Sequence, residues 1–448
     1  MKIPPLRPAI RSLFLISLSL VTLLPRPAHA ANRPNIVYIV ADDMGYADCR
    51  VQGCTDVPTP NLDALANGGA RFTNGYVTGT VCSPSRAALM TGRYHYRDGV
   101  KDWIPPGKPG LNTDVPTIAD YLQKAGYQTG HVGKWHLGED DACHPLKRGF
   151  HAFFGFLGGG RSYFPDKIEA ATQRVNRYTQ IVRGTEPVAE TEYLTAAFAR
   201  EAVAFIKTKR DQPFFLYLAF NAVHTPMQPP TGEDRFSAIA DPKRRAYAGM
   251  LSAMDDGIGR VASAIRESGV ENDTLICFIS DNGGPITRNA PNASKNTPLR
   301  GGKGETWEGG IRVPFFVKWS GHIPAGKVVH EPVIQMDLTA SALTLAGATP
   351  DAKWPIDGKN ILPLLEGKSV SVHDQLCWSY EHQWAIRQGP WKLTVAGAKK
   401  DARPSLYNLD SDPLEETDLS SKEPARVDKM RASWEKWRKE TVPSATQG

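Results

Sequence analysis

Three seven-residue stretches, apolar almost throughout, constrain this chain more than any other feature: residues 35–41, 214–220 and 274–280. A half-exposed strand alternates apolar and polar side chains. A strand that is apolar at successive positions must be buried on both faces, as in a mostly parallel sheet covered by helices. Helix-period segments at 191–209 and 247–267 lie between and around these strands, so the chain reads as α/β. Each stretch also gives way to chemistry-bearing residues. The first runs into Asp42-Asp43, the second leads to His224, and the third runs into Asp281-Asn282-Gly283-Gly284. Sites in open α/β sheets gather at the carboxyl ends of strands. Adjacent carboxylates there repel and are costly to desolvate unless a cation neutralises them, the alternative being an exposed acidic turn. If the first and third strands are neighbours, four oxygen-bearing side chains converge, which suits Ca²⁺, or less well Mg²⁺, rather than a soft metal.

The connecting segments add two basic clusters. A strand expected at 127–132 continues into Gly133-Lys134-Trp135-His136, and in an extended segment Lys134 and His136 point to one side. The glycine-rich loop 301–314 presents Lys303. Either cluster could grip an anion or be plain solvated surface. Capped helices are expected at 59–66 and 116–125, an extended segment at 70–77, and an amphipathic helix at 333–346. Beyond Pro363 short strands at 376–380, 384–388, 391–395 and 406–409 and a closing helix at 426–440 suggest a small antiparallel sheet with one helix. The expected organisation is a leader at 1–30, a catalytic domain at 31–365 and a small C-terminal subdomain at 366–448.

The leader has a basic start (Lys2, Arg7, Arg11), an apolar stretch at 13–24 and an Ala28-His29-Ala30 cleavage site. Export to a periplasm or to the outside follows, with no lipid anchor and no transmembrane segment expected. The formal charge of +6 is inflated by the leader. Residues 1–30 hold four basic residues and no acid, leaving a mature charge of about +2, too balanced for a nucleic-acid partner. Any attraction for an anionic substrate must be local. The six cysteines show no zinc spacing, and Cys49 and Cys54 are close enough in sequence for a small-loop disulfide that spacing alone does not establish.

One cysteine stands apart. Cys82-Ser83-Pro84-Ser85-Arg86 opens a short helix stopped by Gly92. Ser83 fits the N-cap and Pro84 the first helical position. Cys82 thus precedes a helix N-terminus that favours anions, with Arg86 a turn away. Cys-x-Pro-x-Arg resembles the maturation signal of the type I, formylglycine-dependent sulfatases of the alkaline-phosphatase superfamily. Residues 40–43, 82–93, 133–136, 224–226, 280–283 and 302–314 match that family in chain order. The chain is similar to its arylsulfatases and N-acetylgalactosamine-6-sulfatases.

The resemblance implies an alkaline-phosphatase-like large mixed sheet flanked by helices. It implies a Ca²⁺ site at Asp42, Asp43, Asp281 and Asn282, completed by residue 82, and Cys82 oxidised to formylglycine by a maturation enzyme. It places Arg86, His136, His224 and Lys303 among the catalytic residues, with Lys134, His224 and Lys303 on the sulfate. The implied activity is sulfate-ester hydrolysis, with a sulfated small molecule or glycan as substrate. Two other readings remain open: a phosphate or phosphonate monoester hydrolase of the same superfamily, and a non-catalytic sulfated-glycan binder if Cys82 stays unmodified. Trp103, Trp307, His382 and Trp384 are candidates to stack on a sugar. Arg161, Arg288, Lys295 and Arg300 are candidates to meet a second anion.

Overall fold

A computed structural model describes residues 1, 2, 4, 33–164, 178–231, 234–286, 291–368, 371–397 and 402–442. The leader expected at 1–30 falls outside these but for residues 1, 2 and 4, as does Arg288. Residues Arg33–Gly448 form one compact unit. No helix among the described residues is long and apolar enough to cross a membrane.

The strands in chain order are β1 (Asn35–Ala41), β2 (Ala70–Phe72), β3 (Gly75–Tyr76), β4 (Gln128–Lys134), β5 (Ala152–Phe156), β6 (Val182–Arg183), β7 (Glu186–Pro187) and β8 (Phe214–Ala219). Then come β9 (Thr274–Ser280), β10 (Phe315–Lys318), β11 (Lys327–Val329) and β12 (Val333–Ile334). Last are β13 (Leu376–Tyr380), β14 (Gln383–Gln388), β15 (Trp391–Val395) and β16 (Ser405–Asn408). Ten of them form one sheet in the order β11-β2-β10-β9-β1-β8-β4-β5-β6-β7. Its centre, β9-β1-β8-β4-β5, is parallel throughout, and antiparallel pairs join it to β10 and β6. The last four strands form an antiparallel sheet followed by the Pro424–Thr441 helix.

β1 shows why its sequence has no polar alternation. Ile36, Tyr38 and Val40 enter one hydrophobic core, while Val37, Ile39 and Ala41 enter the other. The first core packs the Cys82–Thr91, Ile118–Lys124 and Met336–Ala346 helices, and the second packs Pro60–Asn67, Leu194–Lys207 and Pro242–Glu267. Each large apolar side chain so buried contributes about 1.5–3 kcal/mol. A third core, with Trp378, Trp434 and Trp437, joins the small sheet to Tyr76, Ala88 and Ile311.

Several local expectations shift. The Cys82–Thr91 helix begins at Cys82 behind the N-cap Val81, and the Ser83 hydroxyl instead accepts the Ile104 N–H at 3.0 Å. The stop at Gly92 holds, in the left-handed region at φ 69°. The stretch 70–77 is two short strands with a turn between. At 333–346 a two-residue strand precedes the helix, because Val333 and Ile334 pair with Gly75 and Tyr76. All six cysteines are free and buried.

Candidate active site

Register builds the site. Ala41 lies opposite Ser280 and Val40 opposite Ala219, so Asp42, Asp281 and the 221–224 turn leave three adjacent parallel strands at one level. Asp42 donates its N–H to the Ala222 carbonyl at 2.9 Å and Asp281 donates to Ala41 at 3.0 Å, tying the three exits together. β4 brings Lys134 alongside through Gly133, which faces Ala219. Gly133 sits at φ 111°, where a Cβ would lie 1.9 Å from the Ala219 carbonyl oxygen; only glycine fits.

The sheet end carries a lattice of buried charge. Lys134 Nζ is 2.6 Å from Asp42 Oδ2. Arg86 donates to Asp281 Oδ2 from Nε at 3.0 Å and from NH2 at 2.8 Å, and its NH2 also lies 3.8 Å from Asp42. Lys303 Nζ reaches both Asp43 oxygens, at 2.6 and 2.9 Å, and His224 Nε2 stands 3.6 Å from Asp43. Burial pushes Asp42 up, but Lys134, His224 and Arg86 more than offset it and hold the carboxyl below its ordinary value. Asp43 behaves likewise through Lys303 and His224. Asp281 goes the other way: burial and the Asp42 charge raise it despite Arg86. Burial also pushes up the Cys82 thiol, against the pull of Lys134 and Lys303, so the unmodified cysteine is poorly disposed to ionise.

Asp42, Asp43 and His224 each bring a ligand atom within 4.8 Å of the others. Asp281 and Asn282 join through hydrogen bonds, Asp43 N–H to Asp281 Oδ1 at 3.2 Å and Asn282 Nδ2 to Asp43 Oδ1 at 2.7 Å. Two oxygens, Asp42 Oδ1 and Asn282 Oδ1, are buried without a hydrogen-bond partner. The Asn282 amide also donates to the Gly283 carbonyl, which fixes its oxygen on the opposite side. Buried acceptors left bare cost roughly 1–3 kcal/mol each. A hard divalent cation would supply the partner such oxygens lack, so the chemistry of the expected oxygen donors suits one.

The two histidines have defined tautomers when neutral. His136 is held well below its ordinary value by burial and by Lys134 and Arg86. Its Nε2 lies 3.2 Å from the Ile104 carbonyl and so carries the proton, leaving the buried Nδ1 bare. Its backbone is not extended, as the sequence suggested, but left-handed at φ 58°. His224 is lowered by burial although Asp42 and Asp43 raise it, and its Nδ1 lies 2.6 Å from the Thr225 carbonyl.

All ten expected site residues therefore gather at this sheet end. No feature of the sequence pointed to Asn292, whose amide donates to the Asp43 carbonyl at 3.2 Å and the Val223 carbonyl at 2.9 Å. Nor did any single out Tyr178, with its hydroxyl 3.4 Å from His136 Nε2. Several expected substrate contacts are engaged elsewhere: Arg161 donates to the Thr179 carbonyl and Arg300 to the Glu415 carbonyl, both at 2.7 Å, and His382 Nε2 lies 3.0 Å from the Gly397 carbonyl. Trp384 stacks on Trp434 at 4.5 Å, and Lys295 pairs with Asp56 at 2.6 Å. Trp103 is exposed, and Trp307 packs under Arg300.

The sulfatase family model matches residues 34–348, and the N-sulphoglucosamine sulphohydrolase C-terminal model matches residues 303–439. Human N-acetylgalactosamine-6-sulfatase is 34% identical over 80% of this chain and 74% of its own length. Human arylsulfatase A is 34% identical over 90% of this chain and 86% of its own. The crystal structure of Ps i-CgsB, solved with k-i-k-neocarrahexaose bound, superposes with a TM-score of 0.86 at 38% identity, covering 91% of this chain and 93% of that one.

Proposed function

Because the chain belongs to the sulfatase family of the alkaline-phosphatase superfamily, and is thereby a sulfuric ester hydrolase, we propose that it is an exported carbohydrate sulfatase working through an oxidised Cys82 beside Ca²⁺. The observation that carries this reading is the packing of Arg86, Lys134 and Lys303 around buried carboxylates and the buried Cys82. The carbohydrate assignment draws support from the likeness to Ps i-CgsB, which was solved with a neocarrahexaose. Export, to a periplasm or outside, rests on the leader composition of residues 1–30.

With Cys82 matured to formylglycine, its hydrate would supply the nucleophilic hydroxyl and a second hydroxyl for releasing sulfate, and Ca²⁺ would supply positive charge that favours the ionised hydroxyl. Asp42, Asp43, Asp281 and Asn282 would hold the ion. Asp281, just past the end of β9 and beside Cys82, is the group placed to accept the proton of the attacking hydroxyl. Arg86 orients Asp281 through two hydrogen bonds. Lys134, His224 and Lys303 surround the sulfate oxygens and oppose the charge that develops on them. Lys303, kept charged beside Asp43, donates to the departing alkoxide, whereas neutral His224 keeps its proton on Nδ1, turned to Thr225. His136, with Nδ1 bare, takes the second hydroxyl proton during sulfate release.

The test begins with the tryptic peptide of residues 72–86 from protein made with the maturation enzyme. One oxygen in place of sulfur and two hydrogens at Cys82 is expected. Parallel assays on sulfate, phosphate and phosphonate esters of one alcohol then follow, with sulfate expected to lead. Cys82→Ala is expected to abolish turnover, and full activity in that variant overturns the covalent mechanism. An unmodified Cys82 in active protein does the same.

A further inference from the structure

The loop that carries Lys303 is held from outside the large sheet. On its own side, Lys303 donates its backbone N–H to Gly284 at 3.2 Å and Gly304 donates to Thr80 at 2.8 Å. On the other side it meets the small C-terminal sheet and the turn after it. The Gln383 side chain, at the start of β14, grips the loop twice. Its Nε2 donates to the Gly304 carbonyl at 2.8 Å, and its Oε1 accepts the Thr306 N–H at 3.3 Å. The same oxygen accepts the Gly397 N–H at 2.9 Å, which anchors the amide within its own sheet. Thr306 is also joined to β15, its hydroxyl 3.2 Å from that of Thr394. Gln383, Thr306 and Thr394 are almost wholly buried.

A second tie lies two residues further on. Lys392 of β15 bridges Glu308 and Glu415 at 2.9 and 2.8 Å, and the Glu308 N–H donates to Glu415 at 2.7 Å. All three side chains are fully buried. Tyr76 closes the other Glu308 oxygen at 2.6 Å. The Glu415 carbonyl accepts Arg300 at 2.7 Å, at the other end of the loop. The Lys303 loop is therefore bracketed at 300, 304, 306 and 308 by groups from the small sheet and its following turn.

We propose that Gln383 is a positioning residue for the reaction, fixing the Lys303 ammonium through the backbone on the C-terminal side of it, so that the small sheet forms part of the catalytic apparatus. The Lys303 ammonium meets the Asp43 oxygens at 2.6 and 2.9 Å only where the loop backbone sets it, and transferring a proton to a leaving oxygen needs that one position. A side-chain amide that satisfies a carbonyl at one residue and an N–H two residues later holds the loop much as a neighbouring strand would. This inference rests on the reading that Lys303 acts at the sulfate.

The experiment is a double-mutant cycle on matured enzyme, normalised to the formylglycine content of the 72–86 peptide. Gln383→Ala, Lys303→Ala and the double variant are assayed on an alkyl sulfate and on an aryl sulfate with a good leaving group. Gln383→Ala is expected to lower kcat/KM about 10–100-fold on the alkyl ester, with a smaller loss on the aryl ester. In the Lys303→Ala background the same substitution is expected to change kcat/KM less than about twofold. Equal losses in both backgrounds, or no loss, overturn the proposal. Full activity of Lys303→Ala overturns the role of Lys303 itself, which separates the two failures. If Gln383→Ala does not fold, Gln383→Glu decides. It keeps the acceptor for Thr306 and Gly397 and loses the donor to Gly304, so an intermediate loss confined to the Lys303 background supports the proposal and an additive one refutes it.

Discussion

Asp42 and Asn282 each offer one side-chain atom to an ion pair or a hydrogen bond and keep an oxygen bare and buried. Such atoms are rarely tolerated without a purpose, since desolvating them is unrewarded. Asn282→Ala is accordingly expected to weaken Ca²⁺ binding about tenfold or more while leaving the fold intact, as read by calorimetric titration of chelator-stripped protein. Gly133 belongs to the same scale. Its left-handed φ and the 1.9 Å approach to Ala219 leave no room for a methyl group. Gly133→Ala is expected to cost more than about 3 kcal/mol of stability in denaturant titration, through backbone strain and strand separation. Asp42-Asp43 and Asp281-Asn282 were readable in the sequence because hard-oxygen side chains placed directly after a buried apolar strand are too costly to desolvate without a cation or a counter-charge. Asn292 was not, because its role is to brace two distant backbone carbonyls and nothing local marks it.

At the scale of elements, the small sheet and the Lys303 loop meet across buried charge. Burial pushes Glu415 up to about 7, with the Glu308 charge adding to it and Lys392 opposing. The ordinary carboxyl value is 4.5, so between these limits the folded chain holds a proton that the unfolded chain has released. The stabilising contribution of this group is complete below about pH 4.5 and is lost as pH rises through about 7. Glu308 has the opposite sign. Lys392 holds it down against burial, so its contribution is present above 4.5 and lost as pH falls towards about 2. Glu415→Gln is expected to flatten the decline in stability between about pH 5 and 7 without altering the acid limb, measured by thermal melts across that range. The helix carrying Cys82 shows the limit of local reasoning. Its Gly92 stop is intrinsic to glycine's backbone freedom, but its first residue is set by Ile104, which claims the Ser83 hydroxyl that would otherwise cap it.

The whole molecule is joined through the third core. Trp378 donates from its indole to the Val77 carbonyl at 2.7 Å, and Trp434 donates to the Trp378 carbonyl at 3.0 Å. The Lys392–Glu308 pair crosses the same boundary. Residues 34–442 are therefore expected to unfold in one calorimetric transition rather than two. Trp434→Ala, which removes the stack on Trp384 as well, is expected to lower the whole transition by about 3 kcal/mol instead of splitting it. Separate transitions for the two sheets would show that the boundary is weaker than its buried pairs suggest.

The sequence by itself determined the central strands, the residues that leave them, and the Cys82 signal, because each depends on composition over a few consecutive positions. Continuous apolar runs admit burial on both faces and little else, and Asp42, Asp43, Asp281 and Asn282 inherit their place from the strands before them. Only the tertiary structure decided which strands are neighbours, and so that Ala41 meets Ser280 and the four oxygen-bearing side chains converge. It also decided the tautomers of His136 and His224, which depend on carbonyls of the surrounding backbone, and the grip of Gln383 on the Lys303 loop. Most of those outcomes rest on contacts between segments from about 30 to more than 200 residues apart, which no local pattern encodes.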